Sequence, residues 1–162
     1  MTINNERLAK FEGKCWHEVE FDATAMISWT NAWVCKHCGE RFIAGISNNP
    51  SYSTSPADRE RLWGYLMGKE MWKEFWNYSV ENWVKSRWQG GLESEHVKWL
   101  FLPLDGVPRW VSLLSEWLGM ESTREKFGTT ECEDSMVAYP DCVRINCNCS
   151  GTGKIRAEWA KV

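Results

Sequence analysis

Residues 15–46, "CWHEVEFDATAMISWTNAWVCKHCGERFIAGI", carry the pattern on which the reading of the fold turns. Trp16, Val19 and Phe21 are apolar between polar neighbours, and "AWVCKHCGERFIAGI" repeats that pattern around a turn. Alternation of this kind predicts strands, so a hairpin or small sheet is expected here. Set into it is C-x-H, then seventeen residues, then C-x-x-C-G. Cys15, His17, Cys35 and Cys38 supply four N/S donors, enough for tetrahedral zinc. Residues two apart on a regular strand share a face, which suits Cys15 and His17. A C-x-x-C turn aims both thiolates at one point, and Gly39 directly after it permits the tight turn. The expectation is a structural zinc site, with buried free thiols as the competing reading. His37, inside the turn, is expected to point away.

The other four cysteines, Cys132, Cys142, Cys147 and Cys149, are spaced C-x9-C-x4-C-x-C. An odd total of seven and an N-terminus lacking an apolar signal-like run argue against disulfides. A second structural zinc is therefore expected at these four, with the membership of Cys132 left open. The same end holds "NCNCSGTGKIR" at 146–156, whose Gly153-Lys154 suggests a phosphate-binding loop. That loop requires G-x-x-x-x-G-K-[ST]. Asn148 stands where its first glycine belongs and Ile155 where its hydroxyl belongs, so the reading fails. Instead "CNCSGTGK" resembles the cysteine knuckles in the zinc domain of the DnaJ chaperone family, with C-x-C here in place of that family's C-x-x-C. The resemblance covers about eight residues and implies a metal knuckle only.

Between the cysteine groups the pattern turns helical. "SNNPSYSTSP" is a loop by composition, and it ends with Ser55 as N-cap, Pro56 at the first helical position and Asp58 at the third. Apolar residues then recur at helical spacing from Leu62 to Trp88, with a break expected near Gly68 or Asn77 and a stop at Gly90-Gly91. Trp72, Trp76, Val80 and Trp83 are expected to form one core-facing stripe. "EHVKWLFLPLDG" reads equally as a buried strand or a short helix ending at Pro103. Pro108 opens a further helix, with Val111, Leu114 and Leu118 inward and Gly119 as C-cap. Residues 1–14 read as a polar lead-in, and "GKIRAEWAKV" as a final strand. The fold class is α+β in a single compact domain. It has an N-terminal zinc-bearing β region (15–46), a Trp-rich helical region (55–119) and a C-terminal cysteine knuckle region (120–162).

Composition bounds the function. The chain has 162 residues, 43% of them hydrophobic, which is globular and not disordered. No apolar run approaches the ~20 residues of a membrane span, so a cytoplasmic protein without membrane contact is expected. The formal charge is −3, about −6 with seven thiolates and two zinc ions bound in sites of the usual kind. That argues against strong direct nucleic-acid binding. Glu18, Glu20 and Asp22, and Glu131, Glu133 and Asp134, form two acidic groups, either solvated faces or a patch for a basic partner. The twelve Trp exceed what a core this size requires, so some are expected to face a partner. No protease, hydrolase, dinucleotide or deaminase motif is present, and a closed four-ligand metal site offers no coordination position to substrate, so no enzyme is expected.

Taken whole, the C-x-H…C-x-x-C-G end, the Trp-rich middle and the C-x-C-x-G-T-G-K end resemble small bacteriophage or prophage accessory proteins. Among these, metal-containing anti-CRISPR proteins directed at the type II RNA-guided nuclease are similar in kind. The resemblance implies a large bacterial effector as partner, blockage of guide or target-DNA loading, and the bacterial cytoplasm as location. The alternative is a zinc-ribbon nucleic-acid-binding or transcription accessory protein of a phage.

Overall fold

The computed structural model describes residues 3–23, 32–43, 45–86, 93–131 and 154–162. It is a mixed α and β structure, with six α-helices and three small antiparallel sheets among the described residues. Helix α1 (Asn5–Phe11) is followed by strands β1 (Val19–Phe21), β2 (Trp33–Cys35) and β3 (Arg41–Phe42). Next come α2 (Pro56–Met67), α3 (Trp72–Ser86) and α4 (Glu93–Phe101). A two-stranded ribbon, β4 (Pro103–Leu104) and β5 (Val107–Pro108), leads into α5 (Arg109–Gly119) and α6 (Glu121–Phe127). Strands β6 (Thr129–Glu131) and β7 (Lys154–Arg156) pair, and a single 3-10 turn, Glu158–Ala160, follows. Among the described residues no helix is long and apolar enough to cross a membrane.

Helix α5 organises the core. Trp110, Val111, Leu113, Leu114, Trp117 and Leu118 are all buried, and so are Ser112 and Ser115. A helix apolar on nearly every side must be enclosed, and α1, α3, α4 and α6 pack around this one. The residues read as a polar lead-in take part: Leu8, Ala9 and Phe11 of α1 are buried in the same cluster. Asn4 caps α1, its side chain accepting the Arg7 N–H at 2.9 Å. The N-cap expected at Ser55 is present, its Oγ accepting the Asp58 N–H at 3.2 Å with Pro56 at the helix start.

The chain breaks at Gly68, where α2 ends, and runs unbroken through Asn77. The stop expected at Gly90-Gly91 lies outside the described residues. Of the expected aromatic stripe, Trp83 is buried and the other members are turned aside. Phe75, Ser79 and Trp83 face the core of α3, while Trp72, Trp76 and Val80 are only half-buried on its flank. Both rows recur every four residues, and the packing partners choose between them: Phe75 meets Trp117 of α5 at 5.6 Å, while Ser79 and Trp83 meet His96 of α4. "EHVKWLF" is helix, not strand. Gly119 closes α5 as its last residue, with Met120 as the cap. A Cβ there would lie 2.5 Å from the Arg7 Nη1, so a side chain at 119 would displace that guanidinium.

One buried charge joins the N-terminal helix to α2. Glu12 is 7% exposed and its side chain 3%. It accepts the Tyr52 hydroxyl at 2.6 Å and the Arg61 guanidinium through both Nε and Nη2. Arg61 also reaches Asp58 at 2.9 Å. A carboxylate held this way keeps its charge out of water because its partners replace the lost hydration. Burial, and then the Glu12 carboxylate, push the Tyr52 phenol well above its ordinary range.

Candidate metal centre

Strands β1, β2 and β3 form an antiparallel sheet in that order, with Val19 opposite Cys35 and Trp33 opposite Phe42. Cys35 ends β2, and the chain turns through Lys36, His37 and Cys38. The Gly39 N–H donates to the Cys35 carbonyl at 3.0 Å, and the Cys35 N–H donates to the Glu40 carbonyl at 2.8 Å. Gly39 has φ +74°, the left-handed region that glycine enters without a steric penalty. The turn is tied to β1 by the Lys36 N–H, which donates to the Glu18 carbonyl at 3.0 Å. This brings the C-x-x-C thiols under the segment that carries Cys15 and His17.

The ligand atoms of Cys15, His17, Cys35 and Cys38 all lie within 4.8 Å of one another. The Cys15 and Cys35 sulfurs are 3.7 Å apart, and the Cys38 sulfur is 3.5 Å from His17 Nδ1. Zinc bonds of ordinary length put two sulfurs about 3.8 Å apart on a tetrahedron, and a sulfur and a nitrogen about 3.6 Å apart. These two edges therefore match a tetrahedral ion, and the four residues form a site able to hold one, consistent with zinc. Burial is graded: Cys35 is buried, Cys15 half-buried and Cys38 exposed. His37 is exposed and turns toward Glu18, at 3.6 Å, as expected of a residue inside the turn.

Electrostatics separates the thiols. Burial works against the Cys35 thiolate, but backbone N–H groups of Cys38 and His37 and the His17 side chain outweigh it and hold the thiol down to about 6. Burial, then the neighbouring Cys38 and Cys35, push Cys15 up to about 12. Thiolates this close repel one another, and a divalent cation between them relieves the repulsion.

Two residues that the sequence reading did not single out hold His17. The His17 N–H donates to Asn49 Oδ1 at 2.7 Å, and Asn49 Nδ2 donates to the His17 carbonyl at 3.1 Å. The Asn49 side chain thus acts on His17 as a neighbouring strand would. Glu40 lies 3.5 Å from His17 Nε2, on the opposite side of the ring from Nδ1. A carboxylate at the outer nitrogen fixes the tautomer that presents Nδ1 to the metal. The Phe42 ring, centred 4.8 Å away, backs the imidazole. Glu40 was findable from its place directly after C-x-x-C-G; Asn49 is an ordinary loop residue with no local signal.

Cys132, Cys142, Cys147 and Cys149, the second set of expected ligands, lie outside the described residues, as does most of "NCNCSGTGKIR". The described residues that flank them in sequence are β6 and β7, which pair with Glu131 opposite Lys154. The third histidine belongs to neither set. His96 is 1% exposed and bonded to Ser79 Oγ at 3.1 Å. Trp76, Trp83 and Trp99 surround its ring. Ser79 donates its own proton to the Trp76 carbonyl at 2.7 Å, so it accepts from His96 Nε2.

The chain matches no family model, no curated protein and no solved structure.

Proposed function

We propose that this chain is a noncatalytic, zinc-stapled protein-binding module, and within that class an anti-CRISPR antagonist of a type II RNA-guided nuclease. The supporting observation is a row of aromatic rings left partly open on the helical region. Phe101 is 44% exposed and packs on Trp63 with centroids 4.9 Å apart. Trp63 meets Trp72 at 5.2 Å, Trp72 meets Trp76 at 5.5 Å, and all three Trp are half-buried. Val97, one turn before Phe101 on α4, is 40% exposed. Rings of this kind, rigid and already partly desolvated, are the residues that dominate protein interfaces. The closed Cys15–His17–Cys35–Cys38 set leaves a bound zinc ion no position for substrate, which makes its part structural. An acidic module suits a basic nuclease channel, where opposite charge speeds encounter.

The test pairs capture with activity. The protein immobilised in lysate from a host with a type II system is expected to retain the nuclease, and in purified form to suppress its DNA cleavage. Phe101→Ser with Val97→Ser, both at the surface, should weaken capture by tenfold or more with metal content unchanged. Failure to retain any large partner, with cleavage unaffected, overturns the reading.

A second reading, a zinc-ribbon protein that binds nucleic acid, has one observation in its favour. A cleft of about 570 Å³ beside the metal knuckle is lined by Lys10, Lys14, Lys36, Trp16, His37 and Glu158. Carboxylates already pair with Lys10 and Lys36, however, and only Lys14 of these lysines makes no ion pair among the described residues. Salt-dependent affinity for bare DNA would favour this reading over the first.

A further inference from the structure

A second cavity, of about 250 Å³, opens between the end of α3, α4, the β4–β5 ribbon and the start of α5. Trp99, Leu104 and Leu113 give it apolar walls, and Asn82 and Ser86 stand on its α3 side. Those two are engaged within their own helix. Asn82 Nδ2 donates to the Tyr78 carbonyl at 2.9 Å and Ser86 Oγ to the Trp83 carbonyl at 2.7 Å. Among the described residues, the one charged group lining the cavity is Arg109. Its guanidinium carbon sits 5.2 Å over the Trp99 ring. Its Nε is buried and has no hydrogen-bond partner, and among the described residues no carboxylate pairs with this side chain, not even Asp105 in the adjacent turn.

Arg109 is thus a cation facing an apolar hollow, held over an aromatic ring, with no carboxylate partner among the described residues. The Nε is enclosed, so a ligand reaches the guanidinium through its Nη groups, which can hold a carboxylate in a charge-assisted contact. From this geometry we infer that the cavity is a binding site for a small monocarboxylate with a short apolar tail. The carboxylate sits on Arg109 and the tail between Trp99, Leu104 and Leu113. The volume lies just below the about 300–1,000 Å³ of ordinary small-molecule pockets, which restricts the tail to a short one. None of Cys15, His17, Cys35 and Cys38 lines this cavity, so the site stands independently of the function proposed above.

The probe is sodium hexanoate, titrated into the full-length, metal-loaded protein while the Trp99 indole N–H is followed by NMR. Hexanamide, which keeps the tail and loses the charge, is the control. Hexanoate is expected to bind about tenfold or more tightly than the amide, as a charge-assisted pair requires. Arg109→Gln should abolish that preference, and Arg109→Lys should keep only part of it, because lysine retains the charge without the planar fork. Leu104→Trp, at an exposed position that fills the mouth, should weaken hexanoate tenfold or more and leaves Arg109 untouched. Metal content and melting temperature confirm that each variant is folded. A peptide ending in a free Gly-Leu carboxylate, titrated beside hexanoate, separates the sources. Tighter binding of the peptide places the carboxylate at a polypeptide end and weaker binding in a free acid, and both sustain the site. Equal binding of acid and amide, no shift with either, or an acid preference that survives Arg109→Gln overturns it.

Discussion

In the β1–β3 region only Ala32, Cys35 and Phe42 are buried among the described residues, while Phe21, Ile43 and Ile46 stand 44%, 68% and 69% exposed. In the helical region Leu62, Leu66, Phe75, Leu100, Val111, Leu114 and Leu118 are all fully enclosed. The two regions reach order by different routes. Strands of two or three residues cannot bury enough apolar surface to offset the entropy of fixing their backbone. The four ligand atoms gathered around one point offer another route, since a metal ion held there would make its binding part of folding. The helices need no such help, since α5 alone buries six large apolar side chains.

Metal removal should separate the regions most sharply. Apparent binding free energies of structural zinc are about 10–16 kcal/mol, far above what this sheet could supply. A strong chelator, or Cys35→Ser, is expected to unfold residues 15–46 while helical circular dichroism falls only slightly. A single cooperative loss of all helix signal would show the regions to be one unit. The converse cut is Leu114→Ala at a fully buried position, expected to cost about 2–5 kcal/mol by transfer and cavity terms. Denaturant unfolding should report that loss with zinc stoichiometry unchanged; loss of zinc in the folded variant would break the comparison.

Next in size is the outer shell of the site. Asn49→Ala and Glu40→Gln should each weaken zinc by about tenfold, the lower end for second-shell partners, as measured by competition with a chromophoric chelator. Unchanged affinity in both would remove their role in holding His17. The smallest effect lies at the start of α2. Burial opposes the Asp58 charge, but the Ser51 N–H, Arg61 and Ser55 outweigh it and hold its carboxyl below the ordinary 3.8. A depressed carboxyl contributes stability above its unfolded value and loses it as pH falls through the folded one. Asp58→Asn should therefore lower the melting temperature by a few degrees at pH 6 and converge on the wild type near and below pH 3. A constant difference across that range would assign the effect to packing instead.

Local signals in the sequence were the ones that translated into structure. Ser55, Pro56 and Asp58 mark a helix start because a cap is satisfied by residues three apart, and Cys35, Cys38 and Gly39 mark a knuckle for the same reason. Gly68 stands at the end of α2 as one of the two breaks expected, its N–H donating to the Tyr65 carbonyl at 3.2 Å. What the sequence withheld depends on distant partners. Which face of α3 turns inward was decided by α5 and α4, so the stripe through Trp72 and Trp76 came out on the flank. Glu12 reads as a surface charge until Tyr52 and Arg61, forty and forty-nine residues on, are brought against it. Asn49 holds His17 across thirty-two residues that contain no motif linking them.

The pairing of Glu131 with Lys154 has a topological consequence. Opposite residues of an antiparallel ladder lie about 5 Å apart, so the chain departs from this stem and returns to it at nearly one place. The two ends of the intervening stretch are therefore held side by side by β6 and β7. The entropy of closing such a loop grows only with the logarithm of its length. A change in the number of residues between 131 and 154 therefore adds little to the cost of bringing β6 and β7 together.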